Sequence, residues 1–427
     1  ATGEAHQVWQ SPGDDGGFAQ YYPAHPLRWT QNNRLLFYSE HDGWMHLYSI
    51  SADGGKALDL TPGKSETEYS DVSKNNKFIV YSSNAGDPDR RHLWKVSTQG
   101  GGSEQITTGQ GVETDAVVLA SGQYVAYRGA DANHPTAIML MPVNGGVAKT
   151  VALRQLTKHF PQQSLVIPKQ VLFTASDGLE IHGQLFLPRN AKAGDRRPAV
   201  IFMHGGPIRQ MLLGWHYRGY YAKAYAMNQY LVNKGYLVLS VNYRSGIGYG
   251  RAFRRAENQG PRGAAEYRDI LAAGMYLRQR PEADPDRIGL WGGSYGGYLT
   301  ALALARNSDL FRAGVDLHGV HDWAFRATDF SPGGGWGLQG EKLLESAMKS
   351  SPVADLTYWS SPILFIHGDD DRNVLFQQTT DLVQRLRERH VHVETLIFPD
   401  EVHGFLRYES WLRAYQATAD FFDRFLK

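Results

Sequence analysis

Cysteine is absent from the 427 residues. That excludes disulfide bridges, cysteine-ligated metals and thiol nucleophiles together, and it leaves the compartment open. Long apolar runs are also missing. No stretch approaches the roughly 18 to 20 consecutive apolar residues that cross a bilayer, and no basic segment followed by an apolar one opens the chain. No membrane partner is expected. An excess of charge is lacking too, since 44 Lys and Arg face 43 Asp and Glu. No net field draws nucleic acid or an anionic surface. There is no His-Glu-x-x-His pair, and the run Gly333-Gly334-Gly335 lacks the strand, loop and helix context of a phosphate cradle, so no metal or cofactor is expected. The chain begins at Ala1 rather than Met. An upstream segment, a signal peptide among the candidates, is expected to have preceded it, which favours an extracytoplasmic setting over a cytoplasmic one.

What is present is ordinary globular composition, 42% hydrophobic and 20% charged. The length exceeds the roughly 250 to 300 residues at which one core stops growing, so two domains are expected. Residues 27 to about 150 repeat themselves. A strand ending in Tyr recurs as Leu35-Leu36-Phe37-Tyr38, Phe78-Ile79-Val80-Tyr81 and Tyr124-Val125-Ala126-Tyr127. A second strand follows each, then a glycine turn at Gly54-Gly55, Gly101-Gly102 and Gly145-Gly146. Short strands with Gly-rich turns at this period describe four-stranded propeller blades. A β-sandwich is the alternative, but it requires no such register.

Near residue 165 the pattern changes to apolar strand runs alternating with longer amphipathic stretches, the sign of a mainly parallel sheet with helices on both faces. Strands are expected at 183–188, 199–203, 237–243, 288–291, 314–317, 363–367 and 393–398. Helices are expected at 220–234, 264–280, 297–306, 376–389 and 411–425. The expected division is residues 1–165 as part of an all-β propeller of about three blades, and 166–427 as an α/β-hydrolase domain.

Within the second part, Gly292-Gly293-Ser294-Tyr295-Gly296 is a G-x-S-x-G run fed by an apolar strand and followed by an Ala/Leu-rich helix. That context holds a serine out on a strained strand-to-helix turn, where it serves as nucleophile. A serine hydroxyl needs a base, and the base an acid that fixes its tautomer. The strand 363–367 ends in Asp369-Asp370-Asp371, which reads equally as a solvated turn, a helix cap or the source of that acid. His403 follows the last strand, in the chain order Ser, Asp, His that this fold uses. The oxyanion of the tetrahedral intermediate requires donors, expected from the Tyr295 N–H and the glycine pair Gly205-Gly206. His204 is the alternative base, but it precedes the serine in sequence.

Taken together, His204-Gly205-Gly206-Pro207, the run Asn242 to Gly250, Gly292 to Gly297, His367 to Val374 and His403-Gly404 resemble the prolyl oligopeptidase family of serine peptidases, which includes dipeptidyl peptidase IV and the acylaminoacyl peptidases. The resemblance runs from about Leu27 to the C-terminus. It implies that Asp371 is the acid, lying three residues after the glycine of the His-Gly pair. It further implies that Asn373 contacts a substrate carbonyl, and that Tyr295, Val320, Trp323 and Phe330 line a pocket for a compact apolar side chain such as Pro or Ala. Where dipeptidyl peptidase IV carries paired tyrosines after the pocket tryptophan, this chain has Ala324-Phe325-Arg326. No adjacent glutamates, which bind the substrate amine in dipeptidyl peptidases, occur in it.

The resulting expectation is a serine peptidase acting on short peptides through an acyl-enzyme on Ser294, with His403 as general base. An esterase or lipase would use the same three residues, and a non-catalytic peptide-binding propeller is the reading from a different class. Three blades would leave open edges and apolar faces. An upstream polypeptide completing the propeller is therefore an expected partner, and a homo-oligomer is a further possibility.

Overall fold

Alternation of apolar and polar side chains folds the first part of the chain into four-stranded antiparallel meanders. The structure is a computed structural model and describes residues 3, 5–13, 17–18, 27–30, 32–152, 156, 158–325 and 341–427. The first meander contains β1 (Leu27–Thr30), β2 (Arg34–Ser39), β3 (His46–Ser51) and β4 (Leu58–Asp59). The second contains β5 (Thr67–Val72), β6 (Phe78–Ser83), β7 (His92–Ser97) and β8 (Glu104–Gln105). The third contains β9 (Val112–Val118), β10 (Tyr124–Ala130), β11 (Ala137–Pro142) and β12 (Lys149–Ala152). Each copy of the sequence repeat thus makes one sheet.

The middle sheet packs against both others. Leu36, Tyr38 and Leu47 meet Ile79, Tyr81 and Val96 in one core, and Val80 and Leu93 meet Val118, Val125 and Met141 in the next. Burying a side chain of this size contributes about 1.5 to 3 kcal/mol. Two of the three recurring strand-end tyrosines have hydroxyl partners inside these cores, Tyr38 donating to Ser70 Oγ at 2.6 Å and Tyr81 to Ser103 Oγ at 2.8 Å.

Two compact units emerge from the contacts. The first joins Ala1–Ile167 with Leu212–Ala222 and Ile247–Arg254, and the second takes Pro168–Met211, Lys223–Gly246 and Arg255–Lys427. The excursions into the first unit are tied by buried carboxylates. Glu66 accepts the N–H groups of Gly248 at 2.9 Å and Gly250 at 3.0 Å, and Glu68 accepts Tyr217 OH at 2.9 Å while pairing with Arg91 at 2.6 Å. Among the described residues, no helix is long and apolar enough to cross a membrane.

The second unit is built on one eight-stranded sheet, in the order β13-β14-β16-β15-β17-β18-β19-β20. Its strands are β13 (Lys169–Thr174), β14 (Glu180–Phe186), β15 (Arg197–Met203), β16 (Leu237–Asn242), β17 (Ala283–Gly293), β18 (Ala313–Leu317), β19 (Ile363–Gly368) and β20 (Val393–Phe398). The pairs β13/β14 and β14/β16 are antiparallel, and every later pair is parallel. The parallel strands are apolar almost throughout because helices cover both faces. Those helices are Gly219–Asn233, Tyr267–Arg278, Tyr295–Arg306, Gln377–Glu388 and Tyr408–Leu426. Sequence patterning missed the edge strand β13, mostly exposed and without a long apolar run, and the helix Glu341–Lys349, whose one buried residue is Ala347.

Candidate active site

Parallel strands end side by side, so the segments leaving β15, β17, β18, β19 and β20 meet along one edge of the sheet. This edge is where ligands bind in open α/β folds. Ser294 occupies the junction between β17 and the helix Tyr295–Arg306, with φ 58 and ψ −120. That left-handed conformation is uncommon for a side chain other than glycine, and the surroundings impose it. Ser294 N–H donates to Leu317 O at 2.9 Å, and Ser294 O accepts the Tyr298 N–H at 3.0 Å. The flanking glycines follow from close approach. A Cβ on Gly296 would lie 2.1 Å from Met203 O, and one on Gly292 2.6 Å from the same oxygen.

The three consecutive aspartates divide their tasks. Asp369 Oδ1 accepts the Asp400 N–H at 2.8 Å, and exposed Asp370 pairs with Arg372 at 3.1 Å. Asp371 is buried, and its Oδ1 accepts the N–H groups of Asn373 at 2.8 Å and Val374 at 2.9 Å. Its Oδ2 lies 2.7 Å from His403 Nδ1 and 3.1 Å from His367 Nε2. Burial alone would disfavour the carboxylate, but the hydrogen bonds from His367 and His403 outweigh it and hold Asp371 well below the usual carboxylate range. An ionised acceptor at 2.7 Å puts the proton of neutral His403 on Nδ1 and leaves Nε2 with its lone pair. Ser294 Oγ and His403 are not hydrogen-bonded to each other here, a link that acyl-transfer sites often tighten only around substrate.

Sequence reasoning assigned no task to two residues that hold this arrangement. His367 is fully buried, with Nε2 3.0 Å from Val374 O and Nδ1 2.8 Å from Thr379 Oγ1. A carbonyl only accepts, so Nε2 carries the proton and donates toward Asp371. Glu401 ties the loop carrying His403 to the last helix by accepting from Leu406 N–H at 2.6 Å, Arg407 N–H at 3.1 Å and Ser410 Oγ at 2.6 Å. Its own carbonyl accepts the Asp370 N–H at 3.2 Å and would lie 2.2 Å from a Cβ on Gly368. The acid loop and the histidine loop therefore touch at a point where only glycine fits. An acidic residue just ahead of a polar turn was the available signal for Glu401.

The other expected donors lie beside the serine by sheet register, Met203 being paired with Gly292. Gly205 and Gly206 follow Met203 by two and three positions, and Tyr295 opens the helix after Ser294. The run Asn242 to Ser245 supports this corner. Asn242 brackets the backbone of Met211 at 2.8 and 2.9 Å, and Tyr243 OH donates to His204 O at 2.6 Å. Arg244 pairs with Asp269 at 2.7 Å, and Ser245 Oγ donates to Glu266 at 2.7 Å. Glu266 also accepts Tyr295 OH at 2.7 Å, and burial pushes its carboxyl up. His204 itself is fully buried and stacked on Tyr243 at 4.3 Å, and burial lowers its pKa to about 4. It packs as a neutral ring.

Of the expected pocket residues, Val320 and Trp323 are buried, and the Trp323 ring lies 5.2 Å from Tyr298 and 5.9 Å from Tyr295. Asn373 is exposed at the mouth of the acid loop. Phe330 lies outside the described residues. His318, fully buried at φ 42, packs its ring 4.4 Å from that of His403. The donor atoms of His318, Asp371 and His403 converge within 4.8 Å, but Asp371 is already committed to four N–H partners, so the group suits proton transfer better than cation binding. A separate cavity of about 680 Å³ in the first unit, lined in part by Glu113, Tyr127, Asp131 and His134, contains none of these residues.

A mainly parallel sheet with a serine on a strained strand-to-helix turn defines an α/β-hydrolase domain of the serine hydrolase class. Residues 223–427 match the prolyl oligopeptidase family, and residues 3–136 match the dipeptidyl peptidase IV N-terminal region. Residues 223–427 of the chain thus belong to the prolyl oligopeptidase family of serine peptidases. It is 31% identical over 276 residues to dipeptidyl aminopeptidase BIII of Pseudoxanthomonas mexicana, an alignment covering 60% of this chain and 38% of that protein. It is 28% identical over 403 residues to a probable dipeptidyl peptidase 4 of Neosartorya fischeri, covering 90% of this chain and 50% of that one. The fold is similar to that of a puromycin-hydrolyzing peptidase of Mycobacterium tuberculosis, with TM-score 0.81 and 21% identity, covering 94% of this chain and 61% of the other. The chain thus spans half or less of the length of these two curated relatives.

Proposed function

We propose that the chain hydrolyses short peptides through an acyl-enzyme on Ser294. Ser294 Oγ attacks the scissile carbonyl carbon while its proton passes to His403 Nε2. The imidazolium so formed is held by Asp371 through Nδ1–H. The carbonyl oxygen becomes an oxyanion facing the N–H groups of Tyr295 and of the Gly205-Gly206 pair. Collapse of the intermediate breaks the C–N bond, and His403 returns the proton to the leaving amine. Water then repeats the cycle on the ester, releasing the acyl portion and restoring the serine.

The observation that carries this reading is the 2.7 Å contact between His403 Nδ1 and Asp371 Oδ2, on the same sheet edge as a serine held at φ 58. Tyr295, Val320 and Trp323 give the site an apolar side, fitting a compact apolar residue before the cleaved bond, with Asn373 at its polar rim. The names of the two curated relatives favour cleavage near a peptide N-terminus.

A panel of free and N-acylated aminoacyl and dipeptidyl p-nitroanilides, run beside p-nitrophenyl esters, tests the substrate class. Anilide turnover by the parent and none by Ser294→Ala is the expected result. Turnover of esters alone would assign an esterase instead.

The first unit exposes Leu27 and Trp29 on β1, and Ile138 and Val151 on β11 and β12. Such faces fit cover by further β-strands from another stretch of polypeptide, as in a completed propeller. Fluorescence of an apolar dye should rise on the purified chain and fall when Trp29 and Ile138 are replaced by Ser. Equal dye signals from the two proteins would argue against uncovered faces.

A further inference from the structure

In the first unit, away from every residue used above, His46 on β3 faces two carboxylates. The His46 side chain is 2% exposed. Its Nε2 lies 2.9 Å from Gly63 O, a carbonyl that only accepts, so the neutral ring carries its proton there. The lone pair is then on Nδ1, which lies 2.8 Å from Asp42 Oδ2 and 3.2 Å from Asp59 Oδ2. Neither contact has the alignment of a hydrogen bond, and Nδ1 is buried without a hydrogen-bond partner. Each aspartate is aimed by its own backbone turn. Asp42 Oδ1 accepts the Trp44 N–H at 3.1 Å and Asp59 Oδ1 the Thr61 N–H at 2.9 Å, which leaves both Oδ2 atoms pointing at the imidazole.

We propose that His46 Nδ1, Asp42 Oδ2 and Asp59 Oδ2 form a binding site for a divalent cation of the zinc type. Two carboxylates beside a neutral ring leave a local charge of −2, which a divalent ion cancels. One nitrogen and two oxygens are donors that zinc accepts, and a backbone carbonyl on the far ring nitrogen is the usual way a ligating histidine is oriented. The three donor atoms lie within 4.8 Å of one another. Bonds of about 2.0 to 2.2 Å in a tetrahedron place ligand atoms roughly 3.4 Å apart, so from the observed 2.8 and 3.2 Å the Asp42 and Asp59 oxygens need to draw back from Nδ1 by roughly 0.6 and 0.2 Å. Tyr48 OH, 3.4 Å from Asp42 Oδ2, supports that carboxylate from outside. Partial exposure of the aspartates, 35% and 27% at the side chain, gives the ion a path in. The cation would pin the turn after β2 to β4, a strand of only two residues.

The test uses the whole chain, stripped with a chelator and desalted, then titrated with zinc chloride by calorimetry and melted with and without zinc. Asp42→Asn and Asp59→Asn keep the backbone-accepting oxygen but weaken the donor set. His403→Ala removes the other histidine and aspartate cluster from consideration. The expected result is one zinc equivalent that survives His403→Ala, is weakened at least about tenfold by either Asn variant, and raises the melting temperature of the parent. Cobalt should give visible absorption bands in the parent and none in the double Asn variant. Titrations that do not differ between the parent and the Asn variants, or no zinc uptake by the parent, would overturn the site and leave a proton as the occupant of Nδ1.

Discussion

His367 Nε2 lies 3.1 Å from Asp371 Oδ2, the same oxygen that meets His403 Nδ1 at 2.7 Å. Its other nitrogen is held by Thr379, so the ring is fixed from both ends. In the proposed mechanism His367 is therefore a positioning residue for Asp371. Replacing it by Gln should lower kcat about 10- to 100-fold, the worth of one hydrogen bond to a charged group, with KM little changed. Steady-state kinetics on a p-nitroanilide checks this, and an unchanged kcat would show that His403 and the backbone suffice to hold Asp371.

The three aspartates of the acid loop separate cleanly by their partners. Asp371→Asn should cost on the order of 10⁴-fold in kcat, because the amide no longer fixes the imidazole tautomer. Asp370→Asn, at an exposed pair with Arg372, should stay close to the parent, since such pairs contribute about 0 to 1 kcal/mol. Parallel kinetics on these variants would reject the assignment if the Asp370 variant were the impaired one.

Gly296→Ala should disrupt the serine turn, because the new methyl would lie 2.1 Å from the Met203 carbonyl oxygen. Overpacking typically costs about 1 to 3 kcal/mol, and rigid backbone on the other side of the contact places this case at the upper end or beyond. Gly404→Ala, with nothing within 4 Å, is the matched control. Thermal melts of both variants give the comparison. A Gly296→Ala protein as stable and as active as the control would mean that the turn is not constrained as described.

His204 links stability to pH. Burial lowers its pKa from 6.5 to about 4, so between those values the unfolded chain binds a proton that the folded chain does not. The stabilisation is complete above about pH 6.5 and is lost as pH falls toward 4, amounting to about 3 kcal/mol across that window. His318 acts in the same sense, because burial, reinforced by its neighbours His403 and His367, holds its pKa well below the usual histidine range. Urea unfolding at pH 7 and pH 4.5 should therefore show a smaller loss for His204→Gln than for the parent. Equal losses would remove His204 from the balance.

Much of the fold is legible in the sequence because its buried strands stand out as apolar runs. β15, β16, β18 and β19 are short apolar runs bounded by turn residues, and the strand-end tyrosines mark each meander. β13 escapes because an edge strand alternates weakly, and the excursions 212–222 and 247–254 escape because their attachment depends on carboxylates distant in sequence, Glu66 and Glu68. At the site, the glycines around Ser294 are readable from the chain. The choice among Asp369, Asp370 and Asp371 is not readable from composition, since the three differ only in what they meet once folded. His367 sits in plain view between an apolar strand and a glycine, but its contacts depend on Val374 in the acid loop and on Thr379, which the helix Gln377–Glu388 brings back to it.

The most direct measurement of the central proposal is to treat the chain with a fluorophosphonate and map the adduct by peptide mass. A single adduct on Ser294 is expected, absent from Ser294→Ala and formed far more slowly in His403→Ala, with both variants melting like the parent. No adduct on the folded parent, or an adduct on another residue that persists in Ser294→Ala, would contradict the assignment of Ser294 as the nucleophile.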